Sequence, residues 1–359
     1  NGPKARRPLG SASRACQSSE RTSVSLLPQN AVGLLRALRR RFGSTAGGGW
    51  GMASSGSATA TACVDRQAAG KLRLKRLRIL SAAGDAPARR ISDLAATLRK
   101  PAAPCAMLMP AEDYQVMFMP GLPVAQAERT QALHWRLKDD LEFPSDEAVI
   151  ECVTVATQAP GNQHELWMVV VARRRRVYEL IAPLRAAGVP IEAADIAELA
   201  QRNLAMQCVP AGRTVAMLTL DSQRGMLTIS RDDGMYATRQ LDPIAVALAS
   251  EDEDRRESLI ERLALELQRT FDNVERQYGA GPIDRVIVQC EQFTEAVLAG
   301  LARDLPVPVQ ALRLADFLDS ADPDLLEQAA HSTLATLAIG AALRFDPEPP
   351  AGDELKAAA

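Results

Sequence analysis

Two stretches of the chain carry the same order of signals, and that repetition constrains the fold more than any single motif does. In the first, which begins near Trp50, residues 58–64 are small or β-branched. Leu72, Leu74, Leu77, Ile79 and Leu80 form a second run after a turn at Gly70, so a hairpin is predicted. Residues 91–98 have helical spacing, with Ser92 as the expected N-cap, Asp93 in the first turn and Pro101 past the end. Residues 106–109 predict a further buried strand. The second stretch opens with 215–220, turns through 221–225, returns over 226–230 and turns again at Asp232-Asp233-Gly234, which predicts a three-strand meander. A long helix is expected over 258–278, with Leu259, Ile260, Leu263, Leu267, Phe271 and Val274 on one stripe and stop signals at Gly279 and Gly281. After it come a strand over 283–290, a helix over 295–305, a strand over 307–312 and a buried helix over 334–343.

A different pattern interrupts the first stretch. Residues 114–119 predict a strand running into Pro120 and Pro123, followed by a helix over 125–141 that Phe143-Pro144 stops. A strand over 149–156, a turn at Pro160-Gly161, an apolar strand over 166–172 and a helix over 177–187 ending at Gly188 complete a β-α-β-β-α module. The expected organisation is a basic, disordered extension over 1–48, in part from upstream of a native start. A first half follows over 49–205 with the insert at about 114–190, then a second half over 206–345 and a disordered tail over 346–359.

Composition narrows the function classes. With 47% hydrophobic and 24% charged residues in 359, a large core is available. Forty-two basic against 44 acidic side chains leave a formal charge of −2, and aromatics are 4%, which disfavours nucleic acid as a partner. Six scattered cysteines form no C-x-x-C pair, so neither a zinc knuckle nor a disulfide framework is expected, and a reducing compartment fits. No apolar run reaches the roughly 18 residues of a spanning helix, and no signal peptide is evident. In the extension, Val32, Leu34, Leu35, Leu38 and Phe42 alternate with Arg36, Arg39, Arg40 and Arg41; this basic amphipathic segment is either a solvated tail or a peripheral contact with an anionic membrane. His134, His164 and His331 lack metal-ligand spacing, and no metal site is proposed. Arg173–Arg176 reads as a solvated turn or as a site for an acidic partner.

Residues 133–144 (LHWRLKDDLEFP), with Asp146 and Glu147 after them, resemble the inserted subdomain of the PilM group of type IV pilus assembly proteins. Residues 266–277 (ELQRTFDNVERQ) resemble the long helix of the same group, and the likeness spans about 49–345. The resemblance implies an α/β actin-like ATPase fold of two RNase H-like halves with a small α/β insert in the first. It also implies a cytoplasmic component, peripheral to the inner membrane of a Gram-negative-type bacterium. Such a component docks on inner-membrane pilus proteins, a PilN-like one among them, and Trp135, Leu141, Phe143 and Pro144 are the expected contact residues.

An active member of that fold would cradle ATP and Mg between its halves, and three loops bear on this. The first should end a strand in Gly-x-Asp-x-Gly before Ser or Thr. The chain has Gly51-Met52-Ala53-Ser54-Ser55-Gly56-Ser57, with Ala53 at the acidic position. In the second, Thr219 or Leu220 replaces the acid, and Asp221 falls in a turn with Gln223, Arg224 and Gly225, where a turn-forming role is expected. The third, residues 288–293, has no glycine to let backbone approach a base. The expectation is a degenerate, non-enzymatic site with no cofactor, whose remnant is Gly51, Ser54, Ser55, Gly56, Ser57, Asp221 and Gly225. The alternative is an ATP-binding protein or ATPase that uses these residues with Mg.

Overall fold

The computed structural model describes residues 48–56, 58–67, 71–81, 87–98, 103–155, 165–250 and 252–346. Ser57, Gly70, Pro101, the Pro160-Gly161 turn, His164, the four arginines from Arg36 to Arg41 and the tail after Asp346 lie outside the described residues.

Strands β1 (Gly49–Ser54), β2 (Ala58–Arg66) and β3 (Leu72–Ser81) form an antiparallel meander, and β4 (Cys105–Leu108) and β8 (Ile191–Asp195) add parallel to β1 in turn. The second half repeats this plan with β9 (Thr214–Leu220), β10 (Gly225–Arg231), β11 (Gly234–Gln240), β12 (Ile283–Cys290) and β13 (Val309–Ala311). Both sheets therefore run 3-2-1-4-5, and the fold is actin-like, α/β with mixed sheets. The central strands β9 and β12 are buried on both faces, which is why they read as continuous apolar runs. Strand β3 alternates instead at its start, with Leu72 and Leu74 inward, until the register shifts and leaves Lys75 and Arg76 both exposed.

Between β4 and β8 the chain makes the insert. Its sheet is β5 (Tyr114–Pro120), β7 (Leu166–Arg173) and β6 (Ala148–Val155), with β7 in the middle. The helices, in chain order, are α1 (Pro87–Leu98), α2 (Arg129–Leu137), α3 (Arg174–Ala186), α4 (Ala197–Ala205), α5 (Asp242–Ser250), α6 (Glu253–Tyr278), α7 (Thr294–Asp304), α8 (Pro323–Ala330) and α9 (Thr333–Ala342).

Several boundaries differ from expectation for local reasons. Helix α1 starts at Pro87, a residue suited to a first helical turn, so Ser92 lies inside the helix and caps nothing. Helix α2 is shorter than 125–141: a 3-10 turn over Gln126–Glu128 precedes it, and acidic Asp139 and Asp140 oppose the dipole beyond Leu137. Helix α6 begins earlier, at Glu253, because the Asp252 carboxylate accepts from the Arg255 N–H at 3.1 Å. At its other end Gly279, at φ 62, supplies the left-handed cap. The four-arginine run is a strand-to-helix junction, with Arg173 ending β7 and Arg174–Arg176 opening α3. Arg173 stacks on Phe143, Arg174 donates to the Asp146 and Ala148 carbonyls, and Arg175 and Arg176 pair with Glu179 and, for Arg176, Asp113.

The largest correction concerns the chain's end. Residues 206–345 were expected to stay in the second half, but β14 (Leu318–Ser320) pairs parallel with β3 at the far edge of the first sheet. Helix α9 then lies across β1 and β2 and against α4. It packs with its backbone nearly touching theirs. A Cβ on Gly51 would stand 1.9 Å from the Ala338 carbonyl oxygen, and one on Gly340 would stand 2.2 Å from that of Ala200. Asn203 fixes the crossing by donating to the Gly340 carbonyl at 2.9 Å. Asp346 is tied back to Arg66 by a two-point ion pair, so the expected tail is anchored at its first residue.

Candidate functional site

In a two-half α/β molecule, ligands bind where the carboxyl ends of the central strands meet the seam. Here those ends belong to β1, β4, β9 and β12, and each expected loop sits at one of them.

The first hairpin turn begins at Ser55, because β1 extends through Ser54. Gly51 is thus inside the strand under α9, where its missing side chain serves helix packing instead of phosphate approach. Ala53, at the expected acidic position, is 2% exposed in an apolar cluster with Ala60, Ala62 and Ala338. A carboxylate there would be stripped of water with no cation beside it. Ser54 bonds Thr59 at 3.0 Å, and the Ser55 hydroxyl accepts from the Ala58 N–H at 3.2 Å, so these hydroxyls brace the hairpin itself. Gly56 is exposed in open space.

In the second turn the backbone N–H groups that would face a phosphate already have anionic acceptors. The Asp221 carboxylate accepts from Gln223 N–H and Arg224 N–H, both at 2.7 Å, and Asp242 accepts from Gly225 N–H at 3.0 Å. Two of the chain's own carboxylates therefore take the amide donors of this turn, and their charge repels another anion. Thr219 is also engaged, donating to Gln201 Oε1 at 2.7 Å.

The third loop lacks glycine, and the left-handed position falls on Phe293, at φ 57. Such a conformation costs a non-glycine residue about 1–3 kcal/mol. The Arg256 guanidinium, 3.7 Å from the ring centroid, helps to hold it there. Glu291 is occupied as well, accepting from Thr333 N–H at the start of α9, 2.7 Å away. A small pocket with a cavity volume of about 10 Å³ lies between the second and third loops, walled by Leu220, Ala245, Leu248, Phe293 and Val297. That is room for about one water molecule, and the pocket's polar edge offers Asp221 and Gln292 rather than a cation. Among the described residues no group of three His, Cys, Asp or Glu side chains is placed to hold a metal.

The polar residues that matter most at the seam were not singled out from the sequence. Asp195, fully buried, ends β8 and pairs with Arg344 at 2.8 Å. From α4, Gln201 donates to the Met217 carbonyl at 2.6 Å and to Thr228 at 3.1 Å, both in the second half. Glu198 accepts from Tyr114 of the insert at 2.7 Å and from Gln240 of β11 at 3.3 Å. Burial pushes the Glu198 carboxyl up from its ordinary range and holds the Tyr114 phenol well above its own. The available signal was an acidic and an amide residue at i, i+3 on a short helix after an apolar strand, which periodicity alone scores as surface.

The expected partner residues separate into two groups. Leu141 and Phe143 are half-buried against the insert's outer core of Leu133, Leu137, Ile150 and Trp167. Pro144 is exposed, and Trp135, 71% exposed on α2, presents its ring to solvent with Lys138 over it at 5.3 Å.

No protein-family model matches the chain, and no curated protein matches it. Among solved structures it is similar to a PilM–PilN type IV pilus biogenesis complex, at TM-score 0.63 and 18% identity over 84% of this chain and 99% of that one. It is more distantly similar to the cytoplasmic domain of EpsL, an inner membrane component of the Vibrio cholerae type II secretion system. There the TM-score is 0.45 and the identity 11%, over 82% and 94% of the two chains. The first likeness establishes the fold; the second carries no further argument. Among the described residues no helix is long and apolar enough to cross a membrane.

Proposed function

We propose that this chain is a non-catalytic platform protein of type IV pilus biogenesis, of the MSHA (mannose-sensitive haemagglutinin) kind typified by MshI. In this reading it works on the cytoplasmic face of the inner membrane of a Gram-negative-type bacterium and docks there on a PilN-like component. The observation that carries the reading is the second turn, whose Gln223, Arg224 and Gly225 amides are bonded to Asp221 and Asp242. A site that presents two carboxylates in place of three free amides binds polyphosphate poorly. The surroundings support the same view, since Ala53, and Thr219 or Leu220, replace the acids that would organise metal and water.

The partner assignment is supported by the shared architecture with a PilM–PilN complex. It is also supported by the exposed Trp135 ring, because large aromatic residues on a surface are enriched among interface hot spots. The basic segment from Arg36 to Arg41 would add a peripheral lipid contact, on sequence grounds alone.

Two measurements test the proposal. Titration calorimetry with Mg-ATP is expected to be silent at millimolar nucleotide; micromolar binding would favour the alternative, an ATP-binding assembly protein. Binding of the chain to the cytoplasmic segment of a PilN-like protein is expected, with Trp135→Ala weakening it at least about tenfold while leaving the fold intact. Failure of the folded chain to bind any such segment would remove the pilus assignment.

A further inference from the structure

The insert leaves the first half after β4 and returns to it at β8, so both of its covalent connections are on one side of the seam. Helix α3 follows suit and packs on β8 and α1. The inner face of the insert's sheet, however, does not rest on the first half alone. Val149, Val155, Leu166, Met168 and Val170 share a core with Met235 and Tyr236 of β11 in the second half. The approach is close: a Cβ on Gly234 would stand 2.9 Å from Val155 Cγ1.

A hydrogen-bonded junction adds direction to this apolar contact. Tyr114 is the first residue of the insert's first strand, Glu198 lies in α4 of the first half, and Gln240 ends β11 of the second. The Glu198 carboxyl, 2% exposed, takes one bond from each neighbour. Three units thus converge on one side chain that has no access to water. If the insert moves off β11, Glu198 loses Tyr114 and the seam loses its apolar seal together.

We propose that the insert is a latch: through Tyr114 and its inner face it holds the second half against the first, so displacement of the insert loosens the seam between the halves. The inference does not depend on which partner the insert binds, nor on whether nucleotide binds.

Hydrogen–deuterium exchange on the full chain tests it. Tyr114→Phe keeps the ring and removes the hydroxyl. Exchange is expected to accelerate at least about tenfold, the scale of one lost hydrogen bond to a carboxylate, in the insert's sheet and also in β11 and α4. A second variant, Val155→Cys with Gly234→Cys, ties the insert to the second half directly. The Cβ positions are 3.3 Å apart, close to the roughly 3.5–4.5 Å of a disulfide. Oxidised, this pair is expected to form without added denaturant, to slow exchange in α4 and β11 relative to its reduced form, and to cancel the effect of Tyr114→Phe when combined with it. Acceleration confined to the insert overturns the latch, and so does a link that forms without protecting the seam. The reduced-against-oxidised comparison stands even if Tyr114→Phe does not fold.

Discussion

Glu198 concentrates the competing forces of this molecule in one side chain. Burial disfavours its charge, while Tyr114 and Gln240 donate to it, and the net effect raises its proton affinity in the folded state. A carboxyl whose folded value lies above its unfolded one contributes stability that is full below about pH 4.3, the ordinary Glu value, and is lost as pH rises through the raised folded value. Glu198→Gln has no charge to desolvate. Its amide oxygen can accept from Tyr114, and its amide can pair with Gln240 once that side chain flips. The expected outcome, read from urea denaturation, is near-equal stability of variant and parent at pH 4 and a variant advantage that grows toward pH 8. A difference that stays flat across that range would show that the charge is not what burial penalises. The same side chain marks a limit on what was legible. Ala53, Asp221 and the glycine-free third loop could be read directly, because each departs from a motif at a known position. Glu198, Gln201 and Asp195 match no motif, and their importance comes from what lies opposite them in space.

At the scale of elements, the hairpin of the first half, the meander of the second, the insert and the long α6 were legible because periods of two and 3.6 and the Gly and Pro stops all agreed. The role of α9 was not. Its sequence, TLATLAIGAA, announces a buried helix rich in small residues, apolar all round, but says nothing of which sheet it crosses. Gly51 was read as a loop glycine for the same reason, since a missing side chain serves either a phosphate or a crossing helix. The structure separates the two uses by distance. Gly340→Ala places a Cβ 2.2 Å from the Ala200 carbonyl oxygen, a backbone atom that cannot rotate away. Alanine is otherwise the better helix former by about 1 kcal/mol. The expected result is nonetheless a loss of about 2 kcal/mol or more, from overpacking, in a denaturant titration. A gain would mean that α9 does not press on α4 as the distances require.

At the scale of the molecule, the 3-2-1-4-5 order repeated twice suggests two bodies that could be separated at residue 205/206. The path of the chain argues otherwise. Strand β14 pairs with β3, α9 covers β1 and β2, and Arg344 neutralises the buried Asp195 at the end of β8. A fragment of residues 49–205 would expose Ala53, Ala60, Ala62 and Leu204 where α9 belongs, and would leave Asp195 without its cation. A fragment of residues 206–346 would carry α9 without the β1–β2 surface it covers, the junction of α8 and α9 still tied to Glu291 and Gln289. Neither fragment is expected to show cooperative thermal unfolding alone, whereas co-expression is expected to yield a soluble 1:1 complex that unfolds in a single transition. Independent folding of either piece would show that the returning segment is an accessory to the first half. Failure of both, with rescue on mixing, would show that the two halves and their crossing helix fold as one unit.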